Sequence, residues 1–555
     1  MLLKIKFSSN NFHQDWELFE HPSMIKITND EFYSKYWNIE LYGYFNPYNL
    51  KLMNLDIFKI VDGICEIIHS SIRSLKYIPA IVKNGYAYSD DVRNPVFITN
   101  YNTKDTVYTL IKYLDWDEFH PRCNIIKVLG PVKNIKNYYE YQMYSKCLYT
   151  DTTHIPITNE ILDMSYRDYL QSVYDLYKIQ DRTNQRIITI DPSISREHDD
   201  AFGITQYNDT SFIISIYITN IPLWLEYYGL WDIFKERIEN VHYPDQKRPL
   251  LPSILTEQFC SLKERTTRIA FVLDIYVEHG EIVHIDYNNA LIYIEKNYTH
   301  TDNNLVNDIT FKNIKSLCTS MFHKRKFKTL DRIESSQDVV TYLMLLMNYI
   351  SACEFKECNN GIFRSSKGIP LNSKDYNKLL KLPRNVRDYI TQWNKSGSQY
   401  HLYESKEKHS VLHLQHYVHM TSPIRRLVDI LNIYQMQKNW SLVKYSQQSN
   451  DFYEYWNYNL DFINASLRSV RRLPQDISLR EYKIKDYYNG YIIDILKRND
   501  GLYQYIIYID ELKIASRYIS KEKKDLFHCT QYSILWKHNN KSKKLKCMIS
   551  DCSVM

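Results

Sequence analysis

Asp191, Glu197, Asp199 and Asp200 crowd together directly behind the apolar run Arg-Ile-Ile-Thr-Ile at 186–190. The run reads as a buried strand. Any fold of this chain must therefore carry those side chains into a core and deliver four carboxylates to its rim. Pro192 biases Asp191 toward an extended backbone, so its carboxylate projects from the strand end. The loop that follows returns Glu197, Asp199 and Asp200 toward the same point. Four such charges repel unless water or a cation stands among them. Hard carboxylate oxygens suit Mg2+ or Mn2+, and a hydrated Mg2+ leaves room for a phosphate. Taken alone, the same residues also describe a solvated acidic turn, the commoner case. An EF-hand Ca2+ loop is a poor fit, because the ligand spacing and the mid-loop Gly are missing.

A second charged stretch, Thr421-Ser-Pro-Ile-Arg-Arg-Leu-Val-Asp429, lies far along the chain. Thr421 or Ser422 can cap a helix, and Pro423 suits its first turn. On that reading Arg425 and Arg426 sit in the first turns, where free backbone N–H groups and guanidinium charge favour an anion, phosphate above all. Arg425 can equally bridge Asp429 at i,i+4. The stretch alone leaves both open.

With 555 residues, three or four domains are expected. Hydrophobic residues make up 44% and charged residues 24%, enough for real cores and against wholesale disorder. The 50 Tyr beside only 12 Gly fit an AT-rich coding bias, so Tyr abundance alone does not mark a base-stacking surface. Net charge is +6, which permits a nucleic-acid partner without demanding one. Basic residues gather near the C-terminal end at Lys521, Lys523, Lys524, Lys537, Lys541, Lys543, Lys544 and Lys546, either a hold on a phosphate backbone or a solvated face. The ten cysteines form no CxxC pair, which argues against a zinc site and fits a reducing compartment. The N-terminal stretch lacks the apolar core of a signal peptide. The apolar stretch 339–350 is too short and too interrupted to span a bilayer. These features predict an intracellular, cytoplasmic chain that is not secreted and has no membrane partner.

Periodicity outlines the order of elements. In residues 1–150, the runs 37–45, 94–99, 105–114 and 123–130 read as short strands of one or two small barrels. A helical stretch around 161–177 links them to the next domain. Strands are predicted at 186–190, 211–219, 268–277 and 282–294, the last two as a hairpin turned by His279-Gly280. Ser335 or Ser336 can cap a helix whose apolar face holds Val339, Leu343, Leu346, Met347 and Ile350, with Asn360-Gly361 at its end. Alternating residues between 484 and 512 predict a further small barrel.

Taken together, the two charged stretches resemble the ribonuclease II / ribonuclease R family. IITIDPSISREHDDAFGI is similar to the first signature of its RNB catalytic domain, and TSPIRRLVD to its later arginine motif. NVHYPDQKRPLLP (240–252), LTEQFCSLKERTTRIAF (255–271) and GIFRSS (361–366) resemble the intervening segments in the same order. The resemblance implies a multidomain α+β fold. OB or cold-shock-like barrels occupy 1–150 and a linker helix 151–182. The RNB catalytic domain occupies 183–478, and an S1-like OB barrel with a basic tail 479–555. It implies a monomeric exoribonuclease that degrades single-stranded RNA processively from the 3′ end to nucleoside 5′-monophosphates. By the same resemblance Asp191, Glu197, Asp199 and Asp200 hold Mg2+, or Mn2+ in its place. Asp199, Arg425 and Glu197 are catalytic, and His242, Arg364 and Arg426 bind RNA.

Several positions depart from the family pattern and mark a diverged member. Glu197 stands where Asp is usual, one methylene longer beside a cation that tolerates misplacement poorly. His198, between the acids, is expected to be incidental. His242 replaces a Tyr that stacks on the terminal base. Ser365 or Ser366 replaces a His, and Ile433 and Tyr434 replace a His-Arg pair. The stretch ASLRSVRR (465–472) lacks the family's late acidic residue. The alternative these departures raise is an RNB-fold protein that binds single-stranded RNA without cleaving it.

Overall fold

The computed structural model describes residues 2–7, 16–21, 25–70, 72–89, 96–116, 119–145, 166–177, 179–234, 238–242, 247–325, 327, 330, 332–366, 373–396, 398–403, 408–410, 412–481, 487–498, 501–538 and 545–551. Residues 161–165 of the expected linker helix, and Lys541, Lys543 and Lys544 of the basic tail, lie outside them. The chain divides into two compact units, residues 1–149 with 535–548, and residues 150–534 with 549–555.

The first unit begins with strands β1 (Leu2–Phe7), β2 (Trp16–His21), β3 (Lys26–Ile27), β4 (Ile57–Val61) and β5 (Ile64–His69), in the order β3-β2-β1-β4-β5. Strict alternation in β1 sends Leu3, Ile5 and Phe7 into a core with Leu18, Phe32, Trp37, Phe45 and Phe58. The run 37–45, expected as a strand, instead holds the short helix Ile39–Tyr42. Local hydrogen bonding overrides the apolar pattern there. Asn38 Oδ1 accepts the N–H groups of Glu40 (2.9 Å) and Leu41 (3.2 Å), and Gly43 leaves the helix at φ +68°.

Next come β6 (Ile78–Lys83), β7 (Tyr86–Tyr88), β8 (Phe97–Ile98), β9 (Val107–Asp115) and β10 (Arg122–Pro131), which form a closed barrel. Its order repeats that of the first sheet, with the seam between third and fifth strands closed by the parallel pair β8–β10. That is the ordering of an OB-type Greek-key barrel.

In the second unit, the helix Tyr166–Tyr177 precedes β11 (Gln180–Asp181), β12 (Ile187–Asp191), β13 (Asp200–Gln206), β14 (Ser211–Thr219), β17 (Thr267–Glu278) and β18 (Glu281–Thr299). A small hairpin, β15 (Val241–His242) with β16 (Lys247–Arg248), lies between β14 and β17. The 19-residue β18 pairs antiparallel with β17 through Tyr293 and then parallel with β12 from Ile294 onward. The pairings β12-β13-β14-β17-β18-β12 therefore close a ring. His279 and Gly280 turn the β17–β18 hairpin at φ +51° and +79°, as expected.

Period-two alternation buries both faces of this sheet. Ile188, Ile190, Phe202, Ile216, Phe271 and Leu273 pack with the helices Ile309–Lys324 and Ser336–Glu357. Ile187, Ala201, Tyr217, Ala270 and Val272 fill the other side. The second of those helices opens on Ser335, whose hydroxyl accepts the Asp338 N–H while the Asp338 carboxylate accepts the Ser335 N–H. Val339, Leu343, Leu346, Met347 and Ile350 are buried along it. The helix ends at Glu357, and Asn359 turns the chain at φ +53°.

Further on, β19 (Ile362–Ser365) pairs with β20 (Gln399–Leu402), and helices span Ser373–Leu380, Arg384–Ser396, Leu427–Asn439, Gln447–Tyr458 and Leu460–Glu481. The last sheet contains β21 (Tyr488–Lys497), β22 (Tyr503–Ile509), β23 (Ile514–Ser520), β24 (Cys529–His538) and β25 (Leu545–Asp551), in the order β23-β22-β21-β24-β25. This is the strand order of the first sheet again. The architecture is thus multidomain α+β with OB-ordered sheets before and after a mixed central region. No helix among the described residues is long and apolar enough to cross a membrane.

Candidate functional site

β12 ends at Asp191, and β13 starts at Asp200, so the sheet itself brings the two ends of the acidic loop together. A π-helical turn at Ile254–Cys260 leads into the segment that seats the loop from below. There Ser261 Oγ accepts the His198 N–H at 3.1 Å, and Leu262 N donates to the His198 carbonyl at 3.1 Å. Asp199 is buried and its carbonyl accepts the Thr219 N–H at 2.9 Å. Glu197 is half-buried in the loop.

His198 is not incidental. Its Nδ1 lies 2.7 Å from Asp191 Oδ2, so the imidazole orients the first carboxylate of the set. One Asp199 oxygen, Oδ1, accepts the backbone N–H of Ile424 at 3.0 Å, and Oδ2 lies 3.6 Å from Arg425 Nε. The two charged stretches of the sequence therefore meet at Asp199. Burial pushes the Asp199 carboxyl up to about 6, against the opposing pull of Arg425 and the Ile424 N–H. Asp200 is pushed well above the ordinary range, first by burial and then by the charges of Asp191 and Asp199.

The arginine stretch differs from expectation. Thr421–Arg426 is a turn, and the helix starts only at Leu427, with Arg426 in its cap position and extended at φ −137°, ψ 124°. Two sets of contacts hold it there. Ser422 O accepts the N–H groups of Arg425 and Arg426, and the Asp429 carboxylate accepts the Ser422 N–H at 2.7 Å. Residues 425–427 also run against 238–240, with Asn240 N donating to Arg425 O and Leu427 N to Ile238 O. Arg426, rather than Arg425, is the partner of Asp429, at 2.8 Å. Arg425 leaves its guanidinium half exposed beside Asp199.

Arg364, on β19, stands with Arg426 around His419, which sequence reasoning passed over. A lone His in a Tyr-Val-His-Met stretch carries no local signal of this role. His242 lies in β15, paired with Lys247; its side chain is outside the described residues. Ile433 and Tyr434 are core residues, and Ser366 bonds to His409 through its hydroxyl at 3.1 Å. Among the described residues, no three His, Cys, Asp or Glu side chains are grouped as a metal-holding set.

The RNB domain model matches residues 179–334, the segment that carries the acidic loop and the ring of strands. Over 320 residues the chain is 23% identical to ribonuclease R of Chlamydia pneumoniae, covering 46% of this chain and 47% of that protein. The chain thus aligns with about half the length of that relative. Among solved structures it is similar to Mycoplasma genitalium RNase R in complex with ribose-methylated single-stranded RNA. There the TM-score is 0.67 at 13% identity, over 99% of this chain and 100% of that one. It is also similar to yeast Ssd1, a pseudonuclease, with TM-score 0.56 at 13% identity over 82% and 66% of the two chains. An acidic loop on a β-ring, closed from across the chain by an arginine turn and matched by the RNB domain model, makes this chain a member of the RNB-domain family of ribonuclease II and ribonuclease R.

Proposed function

We propose that this chain, acting as a monomer, hydrolyses single-stranded RNA processively from its 3′ end and releases nucleoside 5′-monophosphates. The observation that carries the reading is the meeting at Asp199, where a buried acid among acids faces a half-exposed guanidinium. Phosphodiester hydrolysis needs such a pairing of a proton acceptor with a fixed positive group. RNA as the substrate class is supported by the similarity to an RNase R solved with single-stranded RNA.

The donor chemistry fits a divalent cation. Asp191, Asp199 and Asp200 are hard oxygen donors, and the repulsion that raises Asp200 is what a cation would relieve. Asp191 and Asp199 now satisfy their oxygens on His198 and Ile424 instead. Mg2+ or Mn2+ held by these three residues and Glu197 would supply Lewis acidity and a more acidic water. The remaining work belongs to the chain. Arg425 stabilises charge that builds on the phosphoryl oxygens. Asp199, with a carboxyl near pH 6, suits accepting a proton at neutral pH. Arg364, Arg426 and His242 hold the strand.

A second reading, RNA binding without cleavage, is favoured by the similarity to a pseudonuclease and by the ungrouped acids. One experiment separates the two. Single-stranded RNA labelled at its 5′ end is incubated with the protein in Mg2+, in Mn2+ and in EDTA, beside Asp200→Asn. A metal-dependent ladder that collapses to a short end product, absent in the variant, supports the exonuclease. Intact RNA that still shifts on a gel supports the binding module.

A further inference from the structure

His419 is buried, and three donors from three segments converge on its Nδ1. Arg364 Nη1 of β19 lies at 3.0 Å, Arg426 Nη1 at 3.0 Å and the Tyr400 hydroxyl of β20 at 2.8 Å. Arginine has only donors, so Nδ1 must be the unprotonated nitrogen and the ring is neutral with its proton on Nε2. The rings of Tyr400 and Tyr417 stand edge-on to the imidazole at 5.8 and 5.7 Å. Its backbone carbonyl accepts from Asn432 Nδ2 at 3.0 Å. Little freedom is left to the ring.

The charge count around it is uneven. Arg426 has the buried carboxylate of Asp429. Arg364 has the imidazole and the face of Tyr400, 5.7 Å away, and among the described residues no carboxylate pairs with it. Two guanidiniums are therefore gathered on one neutral acceptor with one counter-charge between them. A half-buried cation in that state is satisfied by an anion from outside.

We propose that His419 is a positioning residue that sets Arg364 and Arg426 side by side as a seat for a phosphodiester of the bound strand. The inference rests on the RNA reading above but not on cleavage. The groups that face the ring agree with it. Burial, then Arg426, Arg364, His409 and Arg425, hold His419 well below the usual histidine range, so the acceptor stays available at neutral pH. Asp429 is the one carboxylate facing the cluster through Arg426.

The test measures binding of a fluorescein-labelled single-stranded oligoadenylate by anisotropy, in EDTA, with the full chain. His419→Phe keeps the ring and removes the acceptor. It should weaken binding about tenfold and lower the salt slope by about one, as loss of one phosphate contact does. Arg364→Gln should do the same, and the double variant should be no worse than either single one, because both remove one unit. His419→Asn puts Oδ1 where Nδ1 was and should recover most of the affinity. Equal binding by wild type and His419→Phe overturns the proposal, as do additive losses in the double variant. If His419→Phe melts early, a well-folded His419→Asn that binds as weakly as Arg364→Gln overturns it too, and so does a wild type that does not bind. Wild type that binds but leaves RNA intact in Mg2+ and Mn2+ defeats the cleavage reading alone.

Discussion

Asp199 Oδ1 accepts the backbone N–H of Ile424 at 3.0 Å, across 225 residues of sequence. This bond ties the acidic loop to the arginine turn. It also explains why a buried carboxylate among like charges is tolerated, since an N–H donor and Arg425 offset part of the burial penalty.

Asp199→Asn should abolish RNA hydrolysis yet stabilise the metal-free protein. The folded carboxyl, at about 6, holds its proton to higher pH than the unfolded one, so wild-type stability falls as pH rises from the ordinary carboxylate range to about 6. Asn escapes that loss. In EDTA the two proteins should melt alike near pH 4 and diverge by up to about 3 kcal/mol above pH 6. Parallel melting curves at all pH values would refute the prediction.

Glu197→Asp should raise Mg2+-dependent turnover several-fold and leave the Mn2+ rate less changed, since Mg2+ is the stricter cation in geometry. Mg2+ should also raise the wild-type melting temperature, and Asp200→Asn should shrink that shift. Single-turnover rates and melts with each metal check both statements.

The adjacent arginines should separate by effect. Arg425→Gln should slow single-turnover cleavage about a hundredfold with little change in the melt, because its guanidinium is half exposed. Arg426→Gln leaves Asp429, fully buried, without its counter-charge and should destabilise the fold by about 3 kcal/mol. Urea unfolding beside rapid-quench kinetics distinguishes them.

Asn432→Ala should cost about 3 kcal/mol, since it orphans several buried backbone groups. Asn432 accepts from the Ile362 N–H and donates to the carbonyls of Ile362 and His419. The loss should appear as a lower urea midpoint, with RNA affinity falling alongside because β19 carries Arg364.

Much of this was legible in the residues. Period-two alternation located β12, β14, β17 and β18. Ser335 announced its helix, and the acidic loop stood out by charge alone. The apolar pattern at 37–45 misled because Asn38 and Gly43 impose a local turn of helix that alternation does not encode. Thr421-Ser-Pro looked like a helix start, yet pairing with 238–240 and the Asp429 carboxylate keep the chain in a turn until Leu427.

Sequence by itself determined what local chemistry can determine: which runs alternate, where carboxylates follow a strand, and which motifs stand in which order. Tertiary structure alone decided that Asp199 meets Ile424 and Arg425, that Arg426 and not Arg425 pairs with Asp429, and that His419 gathers two arginines. These are contacts between segments far apart in the chain, and each partner looks ordinary in its own neighbourhood. Their energy exists only once folding has removed water and brought the partners within hydrogen-bonding distance.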